Sequence, residues 1–108
     1  MLELKKINTS NLREYALFLL ILAQDNKNFD KLFETFEEII KLPDPRNYNF
    51  IYELTEGTFN KIFTIDEYLK FLIRKDFEKL PSIIINILRL GLYQLEFMYS
   101  IPKSAAIN

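Results

Sequence analysis

The residues of this chain best suited to chemistry are its lysines and arginines. Lys5, Lys6 and Arg13 lie near the start, Lys61, Arg74 and Lys75 in the middle, and Arg89 and Lys103 toward the end. Clustered on one face, such groups neutralise phosphates, and that interaction supplies most of the affinity of proteins for nucleic acid. Any one of them is, on charge alone, also an ordinary solvated side chain. Tyr15 and Tyr93 would add rings that stack on bases if exposed, although aromatics at helical spacing are more often core. Arg89 is the basic residue within the apolar run ILRLGLYQLEF (87–97). A guanidinium in that setting either packs its stem and pairs a carboxylate or reaches a phosphate.

Covalent chemistry is poorly provided for. The chain has no cysteine and no histidine, which removes a thiolate nucleophile, an imidazole base and a Cys/His zinc site. Gly57 and Gly91 stand apart and form no phosphate-cradling loop. An enzyme using these residues alone would depend on carboxylates, lysines and tyrosines, so neither catalysis nor a cofactor is expected of the chain itself. Its formal net charge of −1 gives no global attraction for RNA. An RNA-binding face must therefore be a local patch.

What would position that patch is a single domain. The chain has 108 residues, of which 49% are hydrophobic and 15% aromatic, enough for one core. Its two glycines and four prolines favour long regular elements over many turns. Charges break the apolar runs before the ~20 residues that a membrane span needs. MLELKKINTS lacks the apolar centre of a signal peptide. A cytoplasmic protein is expected.

Five segments carry helical period. The first, from about Asn11 to Gln24, is apolar nearly all round and is expected to be central, with Asn11 and Glu14 at capping-box spacing. The second, Phe29 to Leu42, places Phe29, Leu32, Phe33, Phe36, Ile39 and Ile40 on one face and is stopped by Pro43 and Pro45. The third, Arg46 to Phe63, turns Phe50, Ile51, Leu54, Thr58 and Ile62 inward, with Gly57 expected to admit a close helix. Thr64 and Glu67 suggest a capping box opening a fourth helix through Ile73, with Ile65, Tyr68, Leu69 and Leu72 inward.

The fifth begins near Pro81 and runs to Met98, too long for a typical strand. Ser82, Asn86, Arg89, Tyr93 and Glu96 then form one narrow polar stripe, predicted to be the edge that sees solvent or a partner. Beyond it, Pro102 ends the helix and Ser104 is a good N-cap for a segment that stops after about one turn. The pattern predicts an all-α helical bundle of five helices with one open side, lacking a helix that would cover it.

The blocks ILRLGLYQL (87–95), IPKSAAIN (101–108) and ELTEGTFNKIFTID (53–66) resemble the NusB-like domain family. The resemblance runs from NLREYAL to Asn108 and is weakest in the first helix. Two branches are relevant: free transcription antitermination factors, and the N-terminal domain of the RsmB (Sun/Fmu) methyltransferases that make 5-methylcytosine in small-subunit rRNA. Glu53, Leu54, Gly57, Ile65, Asp66, Leu69 and Ile87 through Leu95 look like the methyltransferase branch, with Asn60 where that branch has arginine. The free factor usually has an arginine-rich lead into helix 1 and an aromatic within it; this chain has Arg13 alone and Ile21. Both branches would continue past Asn108, so the resemblance implies a domain incomplete at its C-terminus.

The resemblance implies a non-catalytic module, residues 1–108, that binds rRNA or positions a neighbouring S-adenosylmethionine-dependent domain on it. It carries over Arg13 and Lys103; Lys5, Lys6, Lys61, Arg74, Lys75 and Arg89 stand on charge alone. The alternatives are an antitermination factor that binds RNA with a ribosomal protein, and a protein-interaction bundle. The last would dock on its own methyltransferase domain or a ribosomal protein, or form a homodimer, through an exposed apolar face. No membrane association is expected.

Overall fold

The computed structural model describes residues 12–26 and 28–98. Asn11, Pro102 and Ser104, and with them the predicted cap of the first helix and the terminal segment, lie outside the described residues. Five helices follow one another: α1 (Leu12–Asn26), α2 (Phe29–Ile39), α3 (Pro45–Asn60), α4 (Ile62–Ile73) and α5 (Ser82–Tyr93). A 3₁₀ segment, Arg74–Lys79, joins α4 to α5, and a π-helical turn, Gln94–Met98, extends α5. No strand occurs among the described residues. The predicted all-α bundle is the fold.

α1 is central because its sequence offers few polar positions. Tyr15, Ala16, Leu19, Leu20 and Ala23 are buried, and the helix packs on α2, α3 and α5. α2 lays Phe33 and Phe36 against the same core. Their rings meet Tyr48 and Tyr52 of α3 edge-on or stacked, and Phe29 stacks on Phe59. Asn28 opens α2 by accepting a hydrogen bond from the Lys31 N–H, and Asp44 opens α3 by accepting from the Arg46 N–H, with Pro45 in the first turn.

Several predicted boundaries shift, each for a local reason. α2 stops at Ile39, where Ile40 turns extended after its N–H bonds the Phe36 carbonyl. Ile39 is consequently exposed rather than inward. The long third helix breaks at Lys61, and α4 begins at Ile62 without a side-chain cap. The Thr64–Glu67 capping box therefore does not form; the Ile65 N–H instead bonds the Lys61 carbonyl. In α4 only Ile65 and Leu69 of the four predicted inward residues are buried, while Tyr68 and Leu72 face solvent.

Gly57 meets expectation. A Cβ built there would overlap the ring of Tyr93, so the missing side chain is what lets α5 seat its tyrosine on α3.

Candidate nucleic-acid interface

The predicted orientation of α5 is inverted. Asn86 and Tyr93, in the middle of the polar stripe, are buried, and Arg89 is largely covered; only Ser82 and Glu96 at its ends are exposed. Solvent instead meets Ile83, Ile84, Ile87 and Leu95. The reason is a hydrogen-bonded network that holds the stripe inward. Arg89 Nε donates to Asp66 Oδ1 at 2.8 Å and Nη2 to Asp66 Oδ2 at 2.7 Å. Its Nη1 donates to Gln24 Oε1 and Asn86 Oδ1. Gln24 in turn donates to Asn86 Oδ1, and Asn86 to the Ser82 carbonyl. Three helices, α1, α4 and α5, are joined by groups that satisfy one another. The carboxylate-pairing reading of Arg89 is the one its geometry fits.

Other sequence candidates disperse. Arg13 sits in the first turn of α1, where its Nε donates to Gln94 Oε1 at 2.8 Å and its guanidinium lies over the Phe50 ring. It flanks an apolar groove between α1 and α5 lined by Leu17, Ile87, Leu90 and Gly91. Lys61 is exposed at the α3–α4 junction with Nζ 5.0 Å from the Phe97 ring centroid, and Phe97 stacks on Tyr93. Arg74 is exposed and caps α4; Lys75 follows it in the 3₁₀ segment. Lys5, Lys6 and Lys103 lie outside the described residues.

Tyr15 and Tyr93 are core, not stacking platforms. Tyr15 packs edge-on to Phe36. Burial raises the Tyr93 hydroxyl above the usual tyrosine range, and Glu53 and Glu56 push it the same way.

Sequence reading missed the outer face of α4. Phe63 and Phe71 are 87% and 76% exposed, with Tyr68 beside them. Lys70 and Arg74 are exposed on the same helix and its cap. The signal was present: in α4 the aliphatic Ile65 and Leu69 face the core while Phe63, Tyr68 and Phe71 are exposed together with Leu72, and aliphatic and aromatic residues count equally as apolar in a periodicity. By contrast α2 presents Asp30, Glu34, Glu37 and Glu38 to solvent. The outer side of α2 is thus net acidic, with Lys31 its one exposed cation, although charge nearly cancels over the whole chain.

Among the described residues no group of three or more His, Cys, Asp or Glu side chains could hold a metal ion, and no helix is long and apolar enough to cross a membrane.

Fold and surface together define a class: an all-α bundle whose candidate functional groups are surface cations and rings. Residues 10–108 match the NusB family, and the chain belongs to that family. It is 33% identical over 101 residues to a probable ribosomal RNA small subunit methyltransferase B of Bacillus subtilis (strain 168), covering 92% of this chain and 22% of that protein. It is 31% identical over 107 residues to the transcription antitermination protein NusB of Thermodesulfovibrio yellowstonii, covering 89% of this chain and 71% of that protein. The chain therefore spans about a fifth of the length of the methyltransferase relative. No solved structure matches it significantly.

Proposed function

We propose that this chain is a non-catalytic RNA-binding domain of the NusB family that positions small-subunit rRNA for a cytosine-C5 methyltransferase of which it forms part, in the cytoplasm. The observation that carries this reading is the 33% identity over 92% of the chain to a protein named as a small-subunit rRNA methyltransferase, of which the matched part is only 22%. A module of that proportion leaves catalysis and S-adenosylmethionine binding to the rest of the parent protein. Within this chain, binding would rest on cations gathered locally, because the net charge is −1. Filter binding to small-subunit rRNA fragments tests it. Affinity is expected to fall linearly with the logarithm of salt, by about 0.7 per phosphate neutralised on a single strand. No binding at low salt overturns the reading.

A second reading, a free antitermination factor binding RNA together with a ribosomal protein, is favoured by the 71% coverage of the NusB relative. The reading frame beyond Asn108 separates the two: a long continuation bearing a cysteine-containing S-adenosylmethionine domain selects the first, and a stop after a short helical stretch the second.

A third reading rests on the exposed aliphatic residues of α5 and of the π-helical turn that extends it, Ile83, Ile84, Ile87 and Leu95. Unbroken by charge, such a face suits a protein surface rather than RNA. The occupant would be the methyltransferase domain, a ribosomal protein or a second copy of the chain. A light-scattering mass equal to the monomer's removes the last of these.

A further inference from the structure

The outer face of α4 differs in kind from that of α5. Phe63 and Phe71, two turns apart at i and i+8, are 87% and 76% exposed, and Tyr68 is 50% exposed beside them. Burial normally removes such rings from water, since each carries a large apolar area. Here none of the described residues covers them, and they are interleaved with charge. Lys70 stands at i+7 from Phe63 on the same side of the helix, and Arg74 follows as the exposed C-cap residue. Lys61 lies one residue before the helix. Asp66, on the inner side, is neutralised by Arg89, so it does not offset these cations.

We propose that this face, Phe63, Tyr68 and Phe71 with Lys70 and Arg74, is a stacking platform for single-stranded RNA. The proposal rests on the RNA-binding reading above and names where on the chain the strand would lie. Exposed rings accept any base by stacking, and flanking cations neutralise the phosphates that follow the bases along the strand. The aliphatic face of α5 has neither property: isoleucine and leucine cannot stack, and no cation is interleaved among Ile83, Ile84 and Ile87. The acidic outer side of α2 repels a phosphate backbone, whereas at α4 the exposed Lys70 and the capping Arg74 outnumber the exposed Glu67. Glu67 lies between Phe63 and Phe71 and is the one group on the platform that opposes binding.

Fluorescence anisotropy of the whole 108-residue chain with an unstructured labelled RNA of about 12 nucleotides, and with the same sequence as a duplex, tests the assignment. The single strand is expected to bind more tightly than the duplex. The double variant F63A/F71A is expected to weaken it about tenfold or more at unchanged salt slope. K70Q and R74Q should each lower the slope by about 0.7, and E67Q should tighten binding. All five side chains are exposed, so the variants should retain the parent's circular dichroism and melting temperature. Wild-type binding that F63A/F71A leaves unchanged overturns the platform while the RNA-binding reading stands. If that variant instead converts a dimer to a monomer without changing RNA affinity, the face belongs to self-association and the platform is again overturned. Failure of the unaltered chain to bind any RNA at low salt overturns the underlying reading, and the platform with it.

Discussion

Arg89 grips both carboxylate oxygens of Asp66 across 23 positions of sequence, tying α5 to α4 through a bidentate pair. The two side chains are 14% and 20% exposed, so the pair is largely withdrawn from water without being sealed. Removing one partner leaves the other charge poorly solvated. Arg89→Ala is therefore expected to destabilise the fold by about 2–4 kcal/mol, near the range for breaking a buried pair. The double change Arg89→Met with Asp66→Leu should recover much of that loss. Urea unfolding of the two single variants and the pair checks it; equal losses for single and double variants would contradict the account.

Gly57 and Tyr93 share one space. Gly57→Ala gains about 1 kcal/mol of helix propensity, yet its Cβ would overlap the Tyr93 ring, and overpacking costs about 1–3 kcal/mol. The overlap wins, and a net loss of up to about 2 kcal/mol is expected. Tyr93→Leu should make Gly57→Ala less harmful, giving a favourable coupling in a double-mutant cycle.

Thr55 Oγ1 is buried and has no hydrogen-bond partner among the described residues. Its neighbour Thr58 shows the contrast, donating to the Leu54 carbonyl at 2.6 Å. Thr55→Val replaces the hydroxyl by a methyl of similar volume and is expected to stabilise by about 1 kcal/mol. A fall in melting temperature would show that the hydroxyl is satisfied in solution.

Arg74 caps α4 with φ 68° and ψ −133°, a backbone conformation that side chains resist. Holding a non-glycine residue there costs about 1–3 kcal/mol. Arg74→Gly should raise the melting temperature, whereas Arg74→Ala, which keeps the strain, should not.

Tyr15, Tyr48 and Tyr93 all have hydroxyls raised above the usual tyrosine range, chiefly by burial. Each is neutral in both folded and unfolded chains near neutral pH. Above about pH 10 the unfolded chain ionises first, so it releases protons that the folded chain keeps. Stability is complete below that pH and declines as pH rises through the folded values. A pH titration of unfolding should show an alkaline loss that Tyr93→Phe reduces.

The helices, the central place of α1, the Gly57 contact and the carboxylate partner of Arg89 as one of two readings were all legible in the sequence. Period, composition and a lone glycine carry that information. The rotation of α5 was not legible. A period finds two faces but not which one turns inward, and the usual rule sends the polar face to water. Here Asn86, Arg89, Gln24 and Asp66 satisfy one another inside, and the partners lie on three helices that no local pattern connects. The α4 aromatics were hidden for a related reason, since Tyr68 scores as core wherever it falls. The α4 start also escaped, because Thr64 and Glu67 satisfy a capping pattern that the preceding turn, from Ile62, makes redundant.

The inward stripe of α5 has one more effect. A cylinder of leucine and isoleucine has no preferred angle of roll, since apolar burial is indifferent to direction. Asn86 and Arg89 act as a key in a slot: turning the helix by one residue step, about 100°, would separate both from their partners at once. Ile83, Ile84 and Ile87 are thereby held at an indexed angle. Whatever meets them finds the same three side chains in the same orientation in every molecule.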